Sequence, residues 1–417
     1  MLKIKNTLTK ETKYLLIVGM LFLAGSNIAS VFLNVYLVRL TNSIFIILFQ
    51  NILNYVSLLI AFIIGTKFIS KINLVTFLKT GIFSMIAYYL LILSLKEQAQ
   101  LFLIPLGIFN GIGQGFYYFS FNLLTGQLVK ESEQGRFFSY QQTFSYLFGI
   151  IIPSLSGYII SIYTKLTGYY ILFFISALLL IIGIYMSIFI KGLTLNQNIR
   201  LLEVLKLKGN KYWNANKYYN FSNGIRDSIF NQIFTVFAYT IISNEQIIGQ
   251  FNSIMACIGI FSSSLIASKF NRTNQKNYHL IASMIYFGIM SLLGIFQSPK
   301  ILLITYILLG VVYCWNQTIF QSVKFQLAKI ANNDYNQYEY IVASEFPIAL
   351  GRIIGLSISL ITCSLFSLNN AYRFLIIFNG TLWLIDHFII NKKSTMVRKR
   401  KTLNHINSKT FYLHSHL

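Results

Sequence analysis

GTKFISK (residues 65–71) and ASKFNRT (residues 267–273) share one pattern, a small residue, a hydroxyl and Lys-Phe, about 200 positions apart. Each follows a long apolar run, so the two stretches mark equivalent places in two halves of one chain. Other segments align at nearly the same offset of roughly 200: AGSNIAS (24–30) with NGIRDSI (223–229), and GIFNGIGQG (107–115) with GVVYCWNQT (310–318), where Gln114 falls opposite Gln317. A single match between apolar segments carries little weight, but a common offset indicates an internal repeat, the construction of many membrane transporters.

Composition agrees with a membrane location. Of the 417 residues, 55% are hydrophobic and 11% charged, and the mean hydropathy is +0.61. A helix needs about 20 mainly apolar residues to cross the hydrocarbon core, and twelve runs satisfy that length. They are 14–38, 44–66, 74–95, 101–125, 139–161 and 167–190, then 217–242, 247–268, 278–297, 301–325, 341–364 and 370–390. The seventh and eleventh are interrupted by charge. The expected fold is therefore all-α and polytopic, with twelve transmembrane helices in two pseudo-symmetric six-helix bundles. The expected divisions are a first bundle at 1–190, a basic linker at 191–216, a second bundle at 217–390 and a basic tail at 391–417.

Lys and Arg fix the expected orientation. With the amino terminus in the cytoplasm, Lys67, Lys71, Lys79, Lys130, Arg136, Lys269, Arg272, Lys276, Lys324 and Lys329 fall inside with the linker and tail. Only Arg39, Lys96, Lys165, Lys300 and Arg373 fall outside. This positive-inside asymmetry places both termini in the cytoplasm of a multi-pass cell-membrane protein. It also accounts for the net charge of +23 through topology and anionic lipid, RKRK at 398–401 included, with no nucleic-acid partner needed.

Other classes are disfavoured. Cys257, Cys314 and Cys363 lie in apolar runs without disulfide or metal-ligand spacing. No phosphate-binding GxxxxGK[ST] occurs, which excludes an ATP-driven pump at the level of motif. His279 and His387 lie far apart in sequence with no partner motif, so a membrane enzyme is not expected. No cofactor is expected.

Six spans, a basic loop and six more spans resemble the major facilitator superfamily over residues 14–390. That family's loop signature between the second and third spans appears here as Gly65, with Ile69 and Ser70 where its Asp and Arg belong; the second half has Asn271 and Arg272 there. In the fifth span GIIIPSLSG (149–157) is similar to the signature of proton-coupled exporters and keeps Pro153 and Gly157. The stretch FLNVYL (32–37), with these altered loops, resembles a group of transporters in Gram-positive bacteria, the YqgE type. The resemblance implies alternating access, a central cavity lined by the first, fourth, seventh and tenth spans, and gating roles for Gly65, Arg272, Pro153 and Gly157.

Intramembrane charge nominates the site, because an ionisable side chain at mid-membrane costs about 2.5–3.5 kcal/mol even on lenient scales. Arg226 and Asp227 are the first candidates, with Asn223 and Asn231 beside them; the competing reading is a fixed structural bridge. Neighbouring helical residues point about 100° apart, so the two are not expected to pair with each other. In ASEFPIALGRIIG (343–355), Arg352 is deep enough to meet Asp227 across helices, while Glu345 lies where it could latch to Arg272 or Lys324 as a gate. Gln114, Tyr117, Trp315, Asn316 and Gln317 complete the candidate cavity, although close helix approach explains the glycines around Gln114 more simply. Asp386 and His387 are read as interfacial.

The expected activity is secondary active transport of a small solute by a monomer, with protons as coupling ion. Few acids and many Phe and Tyr suggest export of a lipophilic or amphipathic compound. Arg226 and Arg352 suggest instead uptake of a small anionic metabolite, and a non-transporting sensor or scaffold is the alternative of another class.

Overall fold

A computed structural model describes residues 8–194, 200–207, 210–269, 275–331 and 337–387. Lipid offers backbone groups no hydrogen-bond partner, so each span must satisfy its own N–H and C=O groups as a helix. The described residues comply. In the first half the helices are α1 (Lys10–Thr41), α2 (Ile44–Phe68), α3 (Leu74–Leu95), α4 (Leu103–Leu128), α5 (Glu131–Ile162) and α6 (Thr167–Ser187). A short helix, α7 (Leu201–Lys206), precedes the second half: α8 (Lys211–Ile229), α9 (Thr235–Ile242), α10 (Glu245–Lys269), α11 (Gln275–Phe296), α12 (Pro299–Ala331), α13 (Gln337–Leu365) and α14, at 368–387. A π-helical turn, Phe230–Phe234, joins α8 to α9, so the two form one membrane-length helix and the spans number twelve.

The repeat is written in the backbone as well. α1 ends at Asn42 with φ 51° and α9 ends at Ser243 with φ 54°; Lys96 (φ 48°) and Gln297 (φ 43°) close the third span of each half. Both pairs lie 201 positions apart. These are left-handed helix stops, tolerated here by Asn and, at some cost, by Ser, Lys and Gln.

Hydropathy alone finds fewer spans. Stretches of the described residues long and apolar enough to cross a membrane number seven, one of them, Leu74–Leu128, holding both α3 and α4, and the α8–α9 helix is absent from them. Its first part, KYWNANKYYNFSNGIRDSI, is polar on several faces because it is enclosed by the bundle. It starts at Lys211, inside the segment read as linker. The linker itself is anchored: Trp213 Nε1 donates to the Val204 carbonyl at 2.7 Å, and Asn73 Oδ1 accepts from Leu193 N at 3.0 Å.

Large apolar side chains on the outer surface, among them Ile60, Ile63, Phe83, Phe174, Ile181 and Ile285, form the lipid-facing belt. Inside each half, glycines let helices touch. A Cβ on Gly115 would come within 2.6 Å of the Ala61 Cβ on α2. Between the halves, α5 packs along α10 and α2 along α13. These contacts leave a space around the middle of α1, α2, α4, α8 and α13.

Candidate functional site

That space is a cavity of about 650 Å³ between the halves, within the size range of small-molecule sites. Its wall is dominated by carboxamides. α1 supplies Asn27 and Asn34, α2 supplies Asn51 and Asn54, and α4 supplies Asn110, Gln114 and Asn122; from the second half come Asn231, Gln232 and Asn252. The first half contributes no charged residue to the wall, whereas the second contributes Asp227, Arg352 and Glu345.

The charged group is built by a close helix crossing. Gly224 on α8 lies against the backbone of α13, and Gly351 on α13 against the Phe221 carbonyl, so any side chain at either would separate the helices. At this crossing Arg352 holds Asp227 by two contacts to Oδ2, from Nη2 at 2.6 Å and from Nε at 2.8 Å. Asn231 Nδ2 donates to the other carboxylate oxygen at 2.7 Å, and the guanidinium lies 5.2 Å from the Tyr55 ring centre. The π turn is what aims the amides: an extra residue per turn lets both Asn231 and Gln232, four and five places after Asp227, face the cavity.

Gln232 also closes one end of the space. Asn34 Nδ2 donates to Gln232 Oε1 at 2.5 Å, Asn51 Nδ2 to Asn34 Oδ1 at 3.3 Å, and Gln232 Nε2 to the Tyr55 hydroxyl at 3.4 Å. Farther toward the face opposite the α1 amino end, Arg39 Nη1 meets Glu245 Oε1 at 2.8 Å, and Tyr169 donates its hydroxyl to the same oxygen at 2.8 Å. Gly157 lies under the first turn of α10 and Gly249 against the Pro153 carbonyl. The halves are thus fastened together on that face, and Pro153 is part of the cavity wall.

Several sequence candidates lie elsewhere. Arg226 is 2% exposed and turns to the back of α8, where Nη2 meets Asp386 Oδ2 at 2.9 Å and its guanidinium stacks 3.6 Å over Trp383. Asn223 accepts from the same guanidinium at 3.2 Å and does not line the cavity. Asp386 and His387, expected at the interface, are buried beside Arg226 and His279 instead. His279 and His387, distant in sequence, stand with their Nδ1 atoms 3.4 Å apart. Tyr117 stacks on Phe22 within the first half, and its neighbour Tyr118 takes the cavity position. Trp315 donates to the Ser262 carbonyl at 3.3 Å and Asn316 is fully buried, so neither lines the cavity. Gly65 packs against the Phe119 ring of its own half. Arg272, Lys276, Lys324, the Gln317 side chain and the RKRK run lie outside the described residues and side chains.

Sequence reasoning passed over Asn34, Asn51 and Asn54. The available signal was their spacing: Asn51, Asn54 and Tyr55 share one face of an otherwise apolar helix, and a polar face within the membrane marks either a partner or a cavity.

The profile of the Major Facilitator Superfamily matches residues 15–333. This chain belongs to that superfamily. It is 25% identical over 349 residues, 83% of this chain and 81% of the relative, to the uncharacterized protein YqgE of Bacillus subtilis (strain 168). Among solved structures it is similar to a POT family transporter in complex with a thioalcohol-conjugated peptide, with a TM-score of 0.70 at 13% identity over 92% of this chain and 96% of the other. A D-xylose-proton symporter gives the same TM-score at 12% identity, over 91% and 96%. At such identities the likeness establishes the fold. The protein is a transporter of this superfamily rather than an enzyme, and a multi-pass membrane protein.

Proposed function

We propose that this superfamily member moves a small polar solute across the cell membrane by alternating access, its two halves rocking about the cavity. The observation that carries the reading is the wall itself, ten carboxamides around one ion pair. Such groups must be hydrogen-bonded when water is excluded, and only a polar solute can take water's place. A lipophilic cargo, the expectation from the Phe and Tyr content, would leave the amide atoms that have no bond within the wall, Asn54 Oδ1 among them, without a partner; many of the aromatic rings pack between helices or face lipid. An isolated anion, the other expectation, finds Arg352 already held by Asp227. With the termini in the cytoplasm, the fastened face is external and this is the inward-facing arrangement. Protons are the proposed coupling ion, with Asp227 and Glu345 as the carboxylates within the cavity, and anionic lipids the proposed contacts of the basic face.

The test needs no knowledge of the cargo. In a background with Cys257, Cys314 and Cys363 replaced by Ala, Ser30→Cys puts one thiol in the cavity wall. A transporter should be labelled by a membrane-impermeant maleimide from the cytoplasmic face of inverted vesicles and, more slowly, from outside intact cells. Labelling restricted to one face under every condition would support the scaffold reading.

A further inference from the structure

Resting on that transport reading, we propose that the cargo is a zwitterion, with one carboxylate and one ammonium group as in an amino acid or a short peptide. The chain has only 11 acidic residues, yet two of them, Asp227 and Glu345, line the cavity together with Arg352. All three come from α8 and α13; the facing half offers neutral donors and acceptors alone.

Each class of solute can be weighed against that arrangement. The Asp227–Arg352 pair is partly open to the cavity, with side-chain exposures of 16% and 27%. A simple anion reaching Arg352 would displace Asp227 and leave a carboxylate without its partner, and a simple cation reaching Asp227 would strand the guanidinium. Removing one partner of an enclosed ion pair is costly because the remaining charge is uncompensated. A sugar or other neutral solute would leave the pair intact, so that Arg352, whose positive charge proton coupling through Asp227 and Glu345 does not call for, would take no part in recognition. A zwitterion resolves both conflicts. Its carboxylate takes the guanidinium as Asp227 withdraws, its ammonium takes Asp227, and neither member of the pair is left without a counter-charge. The remainder of the solute then lies toward Asn54, Asn110 and Gln114, whose amides suit peptide-like or amide groups.

The second half would thus hold the charged head of the cargo and the first half its body. Binding would loosen the link between α8 and α13. Because the same π turn carries Gln232, which bonds to Asn34 of the other half, occupancy of the pair is mechanically joined to the closed end of the cavity.

The experiment is ligand-induced thermal stabilisation of the full-length purified protein. The panel contains the α-amino acids, glycylglycine and L-alanyl-L-glutamine, the N-acetylated and C-amidated forms of each, D-xylose, uridine, benzoate and ethanolamine. At least one zwitterion should stabilise the protein, and blocking either end should weaken its binding by about thirtyfold or more, the lower end of the cost of losing one partner of a buried charged pair. Arg352→Gln and Asp227→Asn should lose the response. Should either variant fail to fold, the blocked ligands on the wild-type protein still decide. Equal stabilisation by the blocked forms, a response confined to a sugar, nucleoside or single ion, or no response to any zwitterion would overturn the proposal. Those outcomes leave the transport reading standing if the Ser30→Cys thiol is still reached from both faces; failure of that labelling removes both.

Discussion

Two adjacent residues, Arg226 and Asp227, have opposite fates, and the reason is rotational phase. Asp227 points into the cavity toward Arg352, while Arg226 lies buried among Asp386, Trp383 and Asn379, whose Nδ2 donates to the Arg226 carbonyl at 2.8 Å. The sequence made the Asp227–Arg352 partnership legible from depth alone. It could not assign Arg226, because a helix polar on several faces has no apolar stripe to fix which side faces the interior. The structural role of Arg226 has a measurable signature. Arg226→Met should destabilise the protein by about 3–5 kcal/mol, since it leaves Asp386 charged and alone, whereas Arg226→Met with Asp386→Leu should recover most of the loss. Thermal melting and the monodisperse fraction in detergent report both. A double variant no better than the single one would mean that Asp386 does more than balance Arg226.

At the scale of elements, the second half's first helix combines a glycine crossing, a π turn and the closed end of the cavity. Only part of this was readable. Glycine spacing announces close helix contact around Gln114 in the fourth span but not at Gly224 and Gly351, and a π turn has no dependable sequence signal, so Gln232 went unrecognised as a cavity residue. The fastening at Arg39 and Glu245 was equally hidden, because both sit at helix ends 206 positions apart where charge is ordinary. The Arg39–Glu245 pair is partly exposed, at 33% and 10%; such a pair contributes on the order of 1 kcal/mol, and about 1 kcal/mol shifts a two-state population roughly fivefold. Glu245→Gln should therefore raise external labelling of the Ser30→Cys thiol by up to about fivefold while leaving cytoplasmic labelling similar or slower. Gly249→Leu should act in the same direction and more strongly. Its side chain would collide with the Pro153 carbonyl, which is backbone and cannot swing aside. An unchanged external rate in both variants would show that this face is not the gate.

The whole molecule was the most legible level, because a bilayer leaves a chain few choices. Run length set the span count, and the common offset set the two halves, which reappear as matched left-handed helix stops. Overall composition is a weak guide to cargo for the same reason: lipid exposure and helix packing draw many aromatic residues to places outside the cavity, whose wall carries ten amides. Orientation depends on the asymmetry of Lys and Arg, which short loops translate into topology. The cytoplasmic assignment includes Lys67, Lys71, Lys130 and Lys269, and the external assignment Lys96, Lys165 and Lys300. Alkaline phosphatase, active only outside the cytoplasm, reads this directly. Fused after Lys165, in the turn between α5 and α6, it should be active; fused after Lys130 or Lys393 it should be inactive. The reverse pattern would invert the molecule, turning the face fastened by Arg39 and Glu245 toward the cytoplasm and making the arrangement outward-facing.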